Sequence, residues 1–191
     1  MFVDLNGGEI LVKITVSGPP GSGTSTLVER LADEYAWSSL NGGDIFRNEA
    51  ENRGLTVGQF SVLCKNDLEV DRSLDNMLKN EIDNLHGAEI IESRLSGWWA
   101  YLMGVDCLRV WVNVSPEECA RRIQNREGGE YADQLILSQK RQIDDKERYQ
   151  ILYDIDLDDM SPYSLIIDAD NIGADEVFSI VQSKIGSESF E

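Results

Sequence analysis

Gly18-Pro19-Pro20-Gly21-Ser22-Gly23-Thr24-Ser25 stands between a β-branched run, Leu11 to Val16, and a segment, Thr24 to Tyr35, in which Leu27, Val28, Leu31 and Ala32 recur at helical spacing. Strand, glycine-rich loop and helix in that order make a cradle for phosphate. Glycines let the backbone turn its N–H groups inward, and the first turn of the helix aims further unpaired N–H groups and a positive dipole end at the same point. Gly18, Gly21 and Gly23 supply that freedom, and Pro19, Pro20, Ser22, Thr24, Ser25 and Thr26 complete the expected triphosphate-binding stretch. The usual spacing is G-x4-G-K-[ST], with the lysine on the outer phosphates and the hydroxyl on magnesium. Thr24 stands where the lysine belongs, while Ser25 keeps the hydroxyl. A charge-assisted hydrogen bond contributes roughly 1.5–3 kcal/mol, so another cation is expected to stand in for the lysine.

Outward from the loop, apolar runs alternate with amphipathic stretches, the pattern of a parallel sheet flanked by helices, and the chain reads as α/β. Five strands are expected, at Leu11 to Val16, Trp37 to Leu40, Ala88 to Ile91, Leu108 to Val114 and Ser164 to Ile167. Beyond the first helix, others are expected at Asp44 to Arg53, as two segments within Thr56 to Leu85, from Ser115-Pro116-Glu117 with proline in the first turn, and at Ala174 to Ile185. Gly186 to Glu191 is polar and expected to fray. A domain spans roughly 100–200 residues, so residues 1–191 are read as one.

The charge narrows the partners. Asp and Glu number 35 against 17 Lys and Arg, a net of −18, and only six of the bases are lysine. Nucleic acid selects basic surfaces, so this balance argues against it and no nucleic-acid partner is expected. An acidic, lysine-poor surface suits a salt-rich cell, where screening relieves self-repulsion. The longest apolar run, Ile10 to Val16, is broken by Lys13 and falls far short of the roughly 20 residues of a membrane span. No membrane partner is expected and, with no secretory leader, a cytoplasmic location is. Cys64, Cys107 and Cys119 have no metal-type spacing and are expected as reduced, packed thiols. His86, the only histidine, is expected to cap a helix just before Gly87.

Seven of the eleven arginines fall between Arg94 and Arg148 although the chain as a whole is acidic. Phosphoryl transfer depends on positioning and on cations around the transferred group, so arginines near a phosphate loop fit that chemistry. Arg47, one turn inside a helix that follows Asn41-Gly42-Gly43, suits the phosphate of an acceptor. Arg94 directly follows a strand, at the carboxyl edge where open α/β sheets bind ligands. Arg141, Asp145 and Arg148 fall at i, i+4 and i+7 of a helix, so they form either a convergent phosphate clamp or a solvated charged face.

These segments, taken together, resemble the archaeal-type cytidylate kinases within the nucleoside monophosphate kinases, over nearly the whole length from Ile10 to about Ile185. The loop from Ser17 to Thr26 looks like that family's own, in which threonine commonly replaces the lysine. Gly43-Asp44-Ile45-Phe46-Arg47 is similar to its acceptor segment, Val70-Asp71-Arg72 to the helix after it, and Glu92-Ser93-Arg94-Leu95-Ser96-Gly97-Trp98 to the segment after the third strand. Ser93 and Ser96 depart from the family's more usual glycine and alanine, close to the acceptor pocket. Arg122 to Gly128 resembles the start of its short lid, and Arg141, Asp145 and Arg148 match its lid helix. Met1 to Glu9 precede the usual start of such chains.

The resemblance implies a three-layer P-loop kinase fold with acceptor-binding helices at about 42–86 and a lid at about 122–150. It implies transfer of the γ-phosphate of ATP to CMP or dCMP, with magnesium, by a monomer. Gly18 to Thr26 would hold ATP, with Ser25 placing magnesium in part through water and Glu92 holding one of its waters. Arg47, Asp71, Arg94, Gly97 and Asp145 would hold the acceptor, with Asp75 an alternative to Asp71 toward its base or sugar. Arg126, Arg141 and Arg148 would neutralise the transferring group. Trp98 and Trp99 either stack on a base or belong to the core. Two other readings stay open: a kinase for UMP, AMP or dTMP, and a nucleotide-binding regulator without catalysis.

Overall fold

The computed structural model describes residues 12–187. Leu11 at the start of the expected first strand, the extension Met1 to Glu9 and the tail at 188–191 lie outside the described residues. Five strands, β1 (Ile14–Ser17), β2 (Ser39–Asn41), β3 (Ile90–Glu92), β4 (Leu108–Asn113) and β5 (Leu165–Asp168), form one wholly parallel sheet in the order β2-β3-β1-β4-β5. β1 lies at its centre and is buried along its length on both faces, with Ile14 and Val16 alternating with the buried hydroxyl residues Thr15 and Ser17.

Successive side chains of each strand feed opposite layers. Ile14, Val16, Ile90, Leu108, Val110 and Val112 pack with α1 (Thr24–Tyr35) and α8 (Ala174–Ser187) through Leu27, Leu31, Val177 and Val181. Ile91, Cys107 and Trp111 pack on the other face with α4 (Leu68–Ile82), α5 (Ser96–Leu102) and the end of α7 (Tyr131–Tyr153) through Leu78, Ile82, Trp99 and Tyr149. These are the three layers. A smaller apolar cluster, Ala50, Phe60, Cys64, Val70 and Leu74, joins α2 (Gly42–Asn52), α3 (Val57–Asn66) and α4 beside the sheet. α6 (Pro116–Glu127) packs along α7, starting at Ser115, whose hydroxyl accepts the Glu118 N–H, with proline in its first turn.

Three local features differ from the sequence expectations. α2 begins at Gly42, two residues early, because Asn41 Oδ1 accepts the Gly43 N–H at 2.6 Å and caps the helix there. A side chain at Gly42 would stand 2.9 Å from Ser93 Cβ, so the close approach of α2 to the end of β3 requires glycine. α5, only seven residues long, is too short to show a helical period; it carries Trp98 and Trp99 into the core, where Trp99 meets Tyr153 edge-on. Both indoles therefore belong to the core and not to a base-stacking platform. His86 caps nothing: α4 ends at Ile82, the Asp83 N–H closes its last turn, and His86 is exposed in the following turn. The three cysteines are buried and unpaired, and burial pushes their thiols up to about 11 for Cys64 and Cys119 and about 12 for Cys107.

No helix among the described residues is long and apolar enough to cross a membrane. Among the described residues the buried carboxylates are Asp71, Asp75, Glu92 and Asp145, so the other described Asp and Glu side chains reach solvent at least in part. Screening of that repulsion is expected to raise Tm as KCl goes from about 0.1 M to about 3 M. A Tm insensitive to KCl in thermal melts would remove the salt-rich explanation of this surface.

Candidate active site

The loop from Gly18 to Ser25 leaves β1 and enters α1 as the sequence demands. Gly21 and Gly23 have φ of +91° and +93°, a region that a side chain would strain. The Ser22 N–H closes a turn on the Pro19 carbonyl at 3.0 Å. Gly23 is the N-cap of α1 and offers no side-chain cap. The first N–H groups of a 12-residue helix are thus left for an anion.

Glu92, buried at the carboxyl end of β3, reaches the loop. Its Oε1 accepts the Ser25 hydroxyl at 2.9 Å, and its other oxygen accepts from the Asn41 side chain. A serine hydroxyl and a carboxylate held together at the mouth of a phosphate loop are the hard oxygen donors that magnesium takes. Ser25 and Glu92 therefore fit the ion, with Glu92 the better-placed carboxylate. Among the described residues no group of three or more His, Cys, Asp and Glu side chains could hold a metal by itself, so phosphates and water would complete the shell.

A second group of side chains is a network of arginines and aspartates. Arg148 stands 3.3 Å from Asp71 and 3.1 Å from Asp145 and donates to the Tyr149 hydroxyl at 2.6 Å. Arg94 lies over the Trp111 ring, with Nε 3.6 Å from Asp145. Arg94 Nε and Nη1 are buried without a hydrogen-bond partner, a costly state for a guanidinium unless an anion completes it. Asp75 accepts the Tyr153 hydroxyl at 2.7 Å. α4, α7 and the turn after β3 thus converge, bringing together Asp71, Arg94, Asp145 and Arg148.

Four other expected residues stand elsewhere. Arg141 shares the face of Arg148, but seven residues carry it about 10 Å along the helix axis, past the aspartates, and it is exposed. Arg126 is exposed and paired with its neighbour Glu127. Arg47 is exposed, folded onto Asp44 at 2.6 Å. Gly97 is buried: its N–H donates to the Ser17 hydroxyl at 3.3 Å, and a side chain there would overlap the Tyr163 ring. Its lack of a side chain admits that ring.

Beyond the loop, a cleft of about 400 Å³ opens between Gly21 to Gly23, Thr26 and Leu27 on one side, Arg122 and Arg126 of α6 on another, and Ile172 to Ala174 at the start of α8. The sequence reading missed Arg122 as a site residue. Its guanidinium donates to the Ser22 carbonyl at 2.9 Å, to the Ala169 carbonyl, and through Nε to Glu118 at 2.9 Å. Only the i, i+4 spacing of Glu118 and Arg122 is visible in the sequence. Asn41, Tyr149 and Tyr153 were likewise missed; each acts across the fold on a residue far away in the chain, Tyr149 excepted.

Burial pushes the Asp75 carboxyl up to about 6 despite the Tyr153 hydrogen bond, and burial also raises Asp71 against the pull of Arg148. An acid that holds its proton more tightly folded than unfolded takes stability away as pH rises. For Asp75 the cost is absent below about pH 4, grows up to about pH 6 and is complete above it, reaching about 3 kcal/mol. Asp75→Asn keeps an acceptor for Tyr153 without the charge. Its stability relative to wild type is expected to rise between pH 4 and pH 6 and stay level above. Urea melts of both proteins across that range check this; a constant difference would contradict it.

Residues 17–138 match the AAA domain family. Over 170 residues the chain is 36% identical to a cytidylate kinase of Halobacterium salinarum, covering 88% of this chain and 86% of that protein. It is also 36% identical over 170 residues to a cytidylate kinase of Archaeoglobus fulgidus, covering 89% and 92%. The solved structure of a shikimate kinase from Bacteroides thetaiotaomicron aligns with a TM-score of 0.57 at 16% identity, over 92% of this chain and 98% of that one, which shows a shared P-loop kinase fold.

Proposed function

The chain belongs to the cytidylate kinase family, and from that membership and the site geometry we propose that it transfers the γ-phosphate of ATP to CMP or dCMP, giving ADP and CDP or dCDP. One observation carries the reading. Arg94, two residues beyond the Glu92 that holds Ser25 of the phosphate loop, presents buried N–H groups that make no hydrogen bond among the described residues. An anion site beside a triphosphate loop is what transfer from one phosphate to another requires.

In this reading the Gly18 to Thr26 stretch holds the donor phosphates, and the cleft beside Arg122 takes the rest of ATP. Arg94 grips the acceptor phosphate. An oxygen of that phosphate attacks the γ-phosphorus in line, and the bond to the β,γ-bridging oxygen breaks as ADP leaves. Arg148 faces the transferring group, and Asp71 and Asp145 hold its guanidinium in place; Asp71 or Asp75 also reaches the acceptor base or sugar. Arg47, Arg126 and Arg141, on exposed stretches, come in by closure, which excludes water as a competing acceptor. The acceptor-binding part is residues 42–86. The lid is residues 122–150, with Gly128 and Gly129, at φ of +80° and +86°, at its turn. Magnesium, held by Ser25 and through water by Glu92, would neutralise phosphate charge when bound. The reading takes the protein as a single-domain monomer in the cytoplasm, acting on small-molecule nucleotides.

Phosphorus NMR of ATP, magnesium and CMP with the protein tests this, with ADP and CDP expected to accumulate in equal amounts. ATP binding without CDP formation would favour a nucleotide-binding regulator, which a loop lacking lysine also suits.

A further inference from the structure

We infer that Arg122 supplies the charge missing from the phosphate loop, acting from behind it through the peptide between Ser22 and Gly23 as a positioning residue. The inference rests on the reading above only in taking the bound anion to be a nucleoside triphosphate. Thr24 leaves the loop without its usual cation. Among the described residues lining the cleft the cations are Arg122 and Arg126, and Arg126 is exposed and turned to Glu127. Arg122 is engaged with the loop itself.

The rigid guanidinium fork makes three bonds to three parts of the fold. Nη1 donates to the Ser22 carbonyl at 2.9 Å, Nη2 to the Ala169 carbonyl just after β5, and Nε to Glu118 at 2.9 Å. The peptide after Ser22 is planar and trans, so its N–H, that of Gly23, points the opposite way from its carbonyl. Holding the carbonyl from α6 therefore aims the Gly23 N–H away from α6, and a charged donor on the carbonyl polarises the peptide and strengthens that N–H as a donor. Glu118 also pairs with Arg121, so the group of two arginines and one glutamate keeps a net positive charge behind the loop. α6 backs the loop closely: a side chain on Gly21 would stand 3.0 Å from both the Cys119 carbonyl and Ile123. The charge that other loops place in front of the phosphates is placed behind them here.

The test is MgATP affinity by isothermal titration calorimetry on the full chain. Arg122→Met keeps the length of the side chain and removes the charge; it is expected to weaken MgATP about ten- to hundredfold, with Arg122→Lys between it and wild type. CMP affinity is expected to stay within about threefold, since the acceptor side shares no partner with Arg122. Adding Thr24→Lys to Arg122→Met is expected to recover about tenfold or more, because that lysine reaches the phosphates directly. A tie that merely holds the fold together, or a contact to the base alone, would not be rescued in this way.

MgATP affinity of Arg122→Met within about twofold of wild type, or no recovery from Thr24→Lys, would overturn the inference. If Arg122→Met does not fold, the comparison is made with Arg122→Lys, alone and with Thr24→Lys, and the same outcomes decide. MgATP binding by the wild type without transfer to any monophosphate would remove the kinase reading and leave this comparison standing. No MgATP binding at all would overturn both.

Discussion

Arg148→Ala is expected to lower turnover by about three to five orders of magnitude, the range seen when an arginine that stabilises a transferring phosphoryl group is removed. The same change is expected to destabilise the protein. Arg148 stands between Asp71 and Asp145, and its loss leaves two buried carboxylates facing each other without a cation. Breaking a buried pair from one side costs roughly 3–5 kcal/mol, and the lower end applies because the Arg148 side chain keeps 31% of its surface exposed. The two losses separate with pH. Asp71 and Asp75 already bind protons more readily than ordinary aspartates, so they neutralise as pH falls and the stability gap between variant and wild type closes. Turnover does not return, because the missing cation is still missing. Rapid-quench turnover together with urea melts at pH 5 and pH 8 check both parts. Wild-type turnover in the variant would remove Arg148 from the mechanism.

Arg94→Met is expected to do the opposite to stability. Its guanidinium is buried with Nε and Nη1 making no hydrogen bond among the described residues, and its ion pair with Asp145 is long, at 3.6 Å. Replacing it by an apolar side chain of similar length removes an unmet desolvation cost, so Tm is expected to hold or rise. Two charge-assisted hydrogen bonds to the acceptor phosphate would go with it, lowering kcat/KM for CMP by about two to four orders of magnitude. The KM for ATP is expected to stay within about threefold, because the donor loop shares no bond with Arg94. Steady-state kinetics with each substrate varied in turn checks this. A falling Tm, or equal losses toward both substrates, would make Arg94 a structural residue.

What could be read from the sequence was local. The strand, loop and helix around Gly18 to Ser25 signal themselves within some twenty residues, because glycine placement and helical spacing are properties of neighbours. The order of strands and helices followed from the same kind of pattern, with ends displaced by a few residues where a cap such as Asn41 set the boundary. What acts over distance was not legible. Ser25 meets Glu92 across 67 residues, Tyr153 meets Asp75 across 78, and Arg122 meets Ser22 across 100. No spacing rule links such pairs; the parallel sheet brings Ser25 and Glu92 together by setting the carboxyl ends of β1 and β3 side by side, and the packing of helices brings the other two. Helical spacing put Arg141 and Arg148 on one face correctly but says nothing of where along its length a helix leaves the core. Resemblance singled out Gly97, and the close approach of the Tyr163 ring, which needs a glycine there, was not legible in the sequence.

The central claim, a kinase whose acceptor is a cytidine monophosphate, is tested most directly by ADP release with ATP and magnesium against CMP, dCMP, UMP, AMP, GMP and dTMP, at low and at molar KCl. Turnover confined to CMP and dCMP is the expected result. Turnover with another monophosphate and not with these, or none with any of the six while ATP still binds, would contradict it.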